Sequence, residues 1–246
     1  KMEKVVFTTG GTGGHIYPAL AIAKKMREKN IKVDHIITDP PYSISAKNQF
    51  HTMNTPRKGT DFGDWDWNFN PMNWINYGMP LLNNNGSIII FCSYKFISDI
   101  CKKIEELNGV VKDIIVWQKT NPMPRNIQRR YVQDMEFIIW AVKNKNTKWI
   151  FNKDNDKAYQ RGFIQTPTLL GKERTKHPTQ KPIYLMKEII RIHTEEKQTI
   201  FDPFMGVGST GVAALNLGRN FIGCEKELEW FQLAQNRLDA ANIIEF

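Results

Sequence analysis

The sequence predicts an α/β domain built on a mostly parallel seven-stranded sheet with helices on both faces. Three observations carry this expectation. Seven short runs rich in Ile, Val and Phe recur along the 246 residues. Stretches with helical apolar periodicity lie between several of them, and a glycine-rich bend joins one run to a helix. Helix bundles and β-sandwiches fit that alternation badly.

Val5–Thr9 is the first predicted strand, and Ile16, Leu20 and Ala23 behind it share one helical face. His35–Asp39 is the second strand. A long polar and aromatic stretch, Ser43–Pro71, with Gly59, Gly63, Trp65 and Trp67, then interrupts the alternation and reads as a lid-like loop. Ser87–Cys92 forms the third strand, followed by a helix with Ile97, Ile100, Ile104 and Leu107 on one face. Asp113–Trp117 and Glu136–Val142 come next. Residues 143–176 hold nine Lys/Arg against three Asp/Glu and form a candidate target-recognition segment. Thr199–Phe204 and Asn220–Cys224 complete the strands, and Phe231, Ala234, Leu238 and Ala241 mark a last amphipathic helix.

Composition narrows the class. With 34 Lys+Arg against 25 Asp+Glu, the net charge is +9, which suits a polyanionic partner. No apolar run has the length of a membrane span and the N-terminus lacks a signal-peptide pattern, so a cytoplasmic protein without membrane contact is expected. The three cysteines Cys92, Cys101 and Cys224 lack CxxC spacing, and no His/Cys/carboxylate spacing suggests a metal.

Two strings carry chemistry. Asp39-Pro40-Pro41-Tyr42 closes an apolar strand. On its own it is a proline-stiffened turn. Open α/β sheets bind ligands beyond the carboxyl ends of their strands, and there the Asp39 carboxylate and the Pro40 carbonyl are neighbouring acceptors beside an aromatic ring. That suits the exocyclic amino group of a flat heterocycle. The second string, Phe201-Asp202-Pro203-Phe204-Met205-Gly206-Val207-Gly208-Ser209-Thr210-Gly211, follows a strand and opens a helix, and Glu225 ends the next strand. A lone GxG is a tight turn. Strand, glycine bend, helix, strand and acid together fit a nucleoside-type cofactor with its ribose on the acid.

From about residue 34 to 246 the chain resembles the S-adenosylmethionine-dependent amino methyltransferases of DNA in their permuted, beta-class order, with DPPY (Asp39–Tyr42) before FxGxG (Phe204–Gly208). His177-Pro178-Thr179-Gln180-Lys181-Pro182 matches that family's HPTxKP block. The resemblance implies a Rossmann-like methyltransferase fold and direct in-line transfer to a flipped base in double-stranded DNA, with no covalent intermediate and no metal. It implies catalytic roles for Asp39, Pro40, Pro41 and Tyr42. S-adenosylmethionine would be held by Asp39, Gln180, Lys181, Asp202, Phe204, Gly206, Gly208, Ser209, Thr210 and Glu225. DPPY favours adenine N6, with cytosine N4 as the alternative, and the family often forms homodimers.

The residues agree with amino rather than carbon-5 methylation, since the latter needs an activated thiolate and none of the cysteines lies in a polar loop. Lys119, Arg125, Arg129 and Arg130, interleaved with Trp117 and Tyr131, are the candidate DNA contacts. Two readings from other classes remain: an inactive DNA-binding module and a glycosyltransferase fragment. The latter rests on residues 4–30, where Thr9-Gly10-Gly11-Thr12-Gly13-Gly14-His15 resembles the start of the glycosyltransferase that adds N-acetylglucosamine to lipid-linked peptidoglycan precursors. Residues 1–246 are thus expected to form one methyltransferase domain whose first 33 residues look like a foreign βα unit.

Overall fold

The computed structural model describes residues 4–8, 16–41, 72–124, 127–169 and 171–241. The 43–71 stretch, Tyr42, Arg125 and the glycine loop at 9–15 lie outside them. The strands are β1 (Lys4–Thr8), β2 (Val33–Thr38), β3 (Leu82–Cys92), β4 (Val110–Lys119), β5 (Met135–Val142), β6 (Phe163–Thr166), β7 (Thr199–Asp202) and β8 (Asn220–Glu225). The helices are α1 (Ile16–Glu28), α2 (Ile75–Gly78), α3 (Ile97–Glu106), α4 (Ile183–His193), α5 (Ser209–Asn216) and α6 (Leu228–Ala241).

These strands form one sheet in the order β1-β8-β7-β2-β3-β5-β4-β6. The expected seven strands are therefore eight among the described residues. The addition is β6, which pairs parallel to β4 from Val116↔Phe163 to Lys119↔Thr166. It is four residues long, bounded by Gly162 and Pro167, and sits inside the basic stretch, so no apolar run announces it. The sheet is mostly parallel; β5 runs antiparallel to both β3 and β4.

Strand alternation divides the core. Ile88 and Ile90 of β3 join one apolar cluster with Ile22 and Met26 of α1 and Ile100 and Ile104 of α3. Ile89 and Phe91, pointing the other way, join Leu185 and Ile189 of α4, Val212 of α5 and Leu238 of α6. Each such fully buried side chain contributes about 1.5–3 kcal/mol of apolar burial.

The position that matters lies between β2 and β7. They are parallel neighbours, with His35↔Ile200 and Ile36↔Phe201 in register, so their carboxyl ends lie side by side. From β7 the chain crosses through α5 to β8, on one side; from β2 it proceeds to β3, on the other. Diverging connections at adjacent strands open a crevice beyond the strand ends.

Candidate functional site

A cleft of about 1640 Å³ occupies that crevice, lined by Asp39, Pro40 and Pro41 beyond β2 and by Asp202, Phe204, Gly206, Ser209 and Thr210 beyond β7. Gln180, Lys181, Glu225, Lys119 and Arg130 line it as well. Most of the sequence-predicted residues therefore converge in one place, although they are separated by more than 160 positions in the chain.

On the β7 side, Asp202 is 2% exposed and works as a bracket. Its Oδ1 accepts from the Thr38 hydroxyl of β2 at 2.6 Å and from the Phe204 N–H at 3.0 Å. Its Oδ2 accepts from the Thr210 hydroxyl of α5 at 2.7 Å. Burial pushes its carboxyl up to about 6 despite these bonds. Asp202 thereby ties the two strand ends and the start of α5 together.

Gly206 and Gly208 both adopt left-handed backbone, with φ of +52° and +77°. Side chains seldom tolerate that conformation, which explains the glycines in the bend. Phe204 packs edge-on against Trp74 with centroids 5.7 Å apart. The Ser209 hydroxyl in the first turn of α5 lines the cleft, is buried, and has no hydrogen-bond partner among the described residues. A buried hydroxyl left unsatisfied costs about 1–3 kcal/mol, so a ligand group that bonds it is favoured.

Glu225 ends β8 across the bend. Its Oε2 accepts from the Gly206 N–H at 3.0 Å, and its Oε1 from the N–H groups of Lys226 and Glu227, each at 2.8 Å. Burial raises its carboxyl to about 7. A bend of this shape, an unsatisfied hydroxyl at a helix N-terminus and an acid facing them fit a nucleoside cofactor with a polar tail.

The β2 side is built from charge. The Lys181 ammonium, 6% exposed, pairs with Asp39 Oδ2 and lies 3.2 Å from Glu136 Oε2. Glu136 Oε1 in turn accepts from Lys119 Nζ at 2.7 Å. The two lysines hold the Glu136 carboxyl below its usual range against the desolvation of burial, and the two carboxylates hold the Lys181 ammonium above its own. Glu136 is the residue that sequence reasoning missed: one acid opening an apolar strand carries no motif.

Several residues expected to meet the cofactor or DNA line the cleft and also bond within the protein. Lys181 pairs with Asp39 and Glu136. Gln180 staples its own loop, its Oε1 accepting from the Thr175 N–H and hydroxyl at 2.9 and 2.7 Å and its Nε2 donating to the Glu173 carbonyl. Lys119 belongs to the buried charge array, while Arg129 and Arg130 are exposed, as is Tyr131 at 96%. His177 packs edge-on to Trp230 at 4.9 Å, and burial lowers its ring to about 4, so it is neutral near pH 7.

The cysteines offer no nucleophile. Cys92 is buried and its thiol is pushed up to about 12; burial also raises the thiol of Cys224 well above its usual value and raises that of Cys101. No group of three or more His, Cys, Asp or Glu side chains among the described residues is arranged to hold a metal ion. Nor, among them, is any helix long and apolar enough to cross a membrane.

Comparison with known proteins gives a consistent picture. A DNA methylase family profile matches residues 33–236, and the profile of the glycosyltransferase family 28 N-terminal domain matches residues 5–56. The type II methyltransferase M2.MboI of Moraxella bovis is 33% identical, over 95% of this chain and 90% of its own length. M2.DpnII of Streptococcus pneumoniae is 36% identical, over 89% of this chain and 86% of its own. The crystal structure of an M1.HpyAVI–SAM complex superposes with a TM-score of 0.78 at 46% identity, covering 96% of this chain and 99% of that one. The cytosine-N4-specific PvuII DNA methyltransferase, at 15% identity and a TM-score of 0.67, shares the fold alone.

Proposed function

Because the chain belongs to the DNA methylase family, we propose that it transfers a methyl group from S-adenosylmethionine to the exocyclic N6 of adenine in double-stranded DNA. One observation carries the reading: Asp39-Pro40-Pro41 beyond β2 and the Gly206–Thr210 bend beyond β7 line a single cleft. Bound there, S-adenosylmethionine supplies an electrophilic methyl on a sulfonium sulfur.

The chain's own residues do the rest. Asp39 and the Pro40 carbonyl accept from the amino hydrogens of the extruded base. Their pull favours the pyramidal nitrogen whose lone pair attacks the methyl carbon in line. The carbon–nitrogen bond forms as the carbon–sulfur bond breaks with its electron pair left on sulfur. The nitrogen becomes positively charged, the Asp39 carboxylate would stabilise that charge, and the proton is then lost to solvent water. Ser209 and Thr210 at the start of α5 hold the polar tail of the cofactor, and Glu225 accepts from its ribose diol. Gln180 keeps the 173–181 loop against the cleft. Arg130 and Tyr131 line the cleft and Arg129 is exposed next to them in the chain, which supports their meeting phosphates and bases. Tyr42, as the stacking partner of the base, and residues 43–71, as a lid, extend the same reading to positions outside the described residues.

We infer further that residues 1–246 act as one domain with helical cover on both sheet faces, a reading supported by the two apolar clusters fed by alternate residues of β3. The type II relatives support a place in a restriction-modification system, in the cytoplasm, and a homodimer is consistent with the family. The proposal is tested by incubating the protein with tritiated S-adenosylmethionine and plasmid, then identifying the labelled nucleoside. N6-methyladenosine is expected. Label in N4-methylcytosine would move the reading to cytosine, and absence of label would reject it.

A further inference from the structure

Four alternating charges run inward from the surface to the site: Lys119 on β4, Glu136 on β5, Lys181 before α4 and Asp39 beyond β2. All four line the cleft, and under the proposed function Asp39 meets the target amino group. Resting on the function proposed above, we infer that Glu136 is a positioning residue for methyl transfer, setting the Lys181 ammonium against Asp39 and thereby the direction in which the Asp39 carboxylate meets the target amino group.

Geometry supports this. Lys181 is a long, flexible side chain whose ammonium lies over the Phe91 ring, 5.4 Å from its centroid. Contact with Asp39 alone would fix one direction of its ammonium. Glu136 at 3.2 Å fixes a second, and Lys119 at 2.7 Å holds Glu136 in turn. Lys181 is the buried centre of the array, its side chain 7% exposed, and Glu136 and Lys119 beside it are half-buried at 17% and 21%.

Charge supports it too. Transfer moves a positive charge from sulfur to the amino nitrogen, beside Asp39. Among the described residues, two carboxylates of the array stand against two ammonium groups. Removing the Glu136 charge lets the Lys181 ammonium lose its proton more readily, and with it the contact that directs Asp39 at the nitrogen that is becoming positive. The titratable groups facing Lys181 include Asp39 from β2, Glu136 from β5 and His177 from its own loop; those facing Glu136 include Lys119 from β4, Lys181 and the Cys92 thiol at the end of β3.

The test is steady-state methyl transfer to plasmid by wild type, Glu136→Gln and Glu136→Asp from pH 6 to 9.5. Glu136→Gln is expected to lower kcat on the order of 10- to 100-fold while KM for S-adenosylmethionine and DNA moves little, as loss of alignment does. It is also expected to bring in an alkaline loss of activity absent from wild type, because Lys181 has lost a carboxylate that favours its ammonium form. Glu136→Asp, which keeps the charge, should show reduced kcat without that alkaline limb. Wild-type kcat and pH profile in Glu136→Gln would overturn the inference, as would equal losses in both variants with unchanged profiles, which mark a packing role. If Glu136→Gln does not fold, wild-type kcat in Glu136→Asp overturns it equally. An inactive wild type would break the proposed function instead, so the two failures are distinct.

Discussion

Asp39 and Asp202 follow neighbouring parallel strands, yet they live in opposite surroundings. Asp39, on the β2 side, is met by an ammonium and belongs to a chain of four charges. Asp202, on the β7 side, is met by two hydroxyls and a backbone N–H, with its carboxyl raised to about 6. A carboxylate met by an ammonium joins an array of charges. One met by neutral donors makes a joint between elements. The difference teaches that an acid at a strand end is read by what answers it, and the function proposed above gives the chemistry to the first side of the cleft and the holding to the second.

The sharpest way to break the contrast is Asp39→Ala. It should reduce methyl transfer by about 10²-fold or more, the size of losing a preorganised polar contact, while calorimetric cofactor affinity changes far less. Near-normal turnover would end the assignment of chemistry to the β2 side.

On the holding side, Glu225→Gln should weaken cofactor binding by roughly 10-fold, since a hydrogen bond to a charged acceptor is worth about 1.5–3 kcal/mol and a neutral one about 1. Its pH behaviour sharpens the point. Ionised Glu225 is the better acceptor for a diol, so wild-type affinity should rise as pH passes through about 7, and the Gln variant should lose that rise. Titration calorimetry at pH 6 and 8 reads both.

Asp202 makes a smaller, opposite prediction about stability. Its folded carboxyl sits above the ordinary 3.8, so its contribution is full below that value and is lost as pH rises through about 6. Asp202→Asn removes the ionisation. Its thermal midpoint relative to wild type should therefore climb between about pH 4 and 6 and level off above, and a constant difference would show that burial does not govern this group.

The smallest effect concerns the cleft mouth. Arg129→Ala should flatten the dependence of log affinity for DNA on log salt by about one unit, the mark of one phosphate contact. An unchanged slope would leave the exposed Arg129 as a solvated charge.

Much of this site was legible in the sequence because its two halves are local strings. Asp39-Pro40-Pro41 and the Gly206–Thr210 bend each declare a strand end by proline or glycine chemistry, and each lies where expected. What was not legible is long-range pairing. Nothing local to Lys181 or Lys119 announces that β5 brings Glu136 to both of them. Thr38, an ordinary strand residue in sequence, becomes the partner that joins β2 to Asp202 only through the register of β2 with β7. The missing eighth strand has the same cause: β6 is specified by its neighbour β4, with Trp117 Nε1 donating to the Thr166 hydroxyl at 2.8 Å, more than by its own four residues.

The placement of β1 at the rim of the sheet gives the N-terminal segment the standing of a cassette. It forms a single ladder, with β8, from Lys4↔Phe221 to Thr8↔Glu225, and no central strand depends on it for hydrogen bonds. A βα unit of different ancestry, such as one resembling a glycosyltransferase start, can seat there at the cost of relearning one ladder and the α1 packing. The last residues of its strand arrive beside Glu225, so whatever unit occupies the rim becomes a neighbour of that acid. The DNA methylase match begins at residue 33, the first of β2, so Asp39, Glu136, Lys181 and the glycine bend all lie inside it.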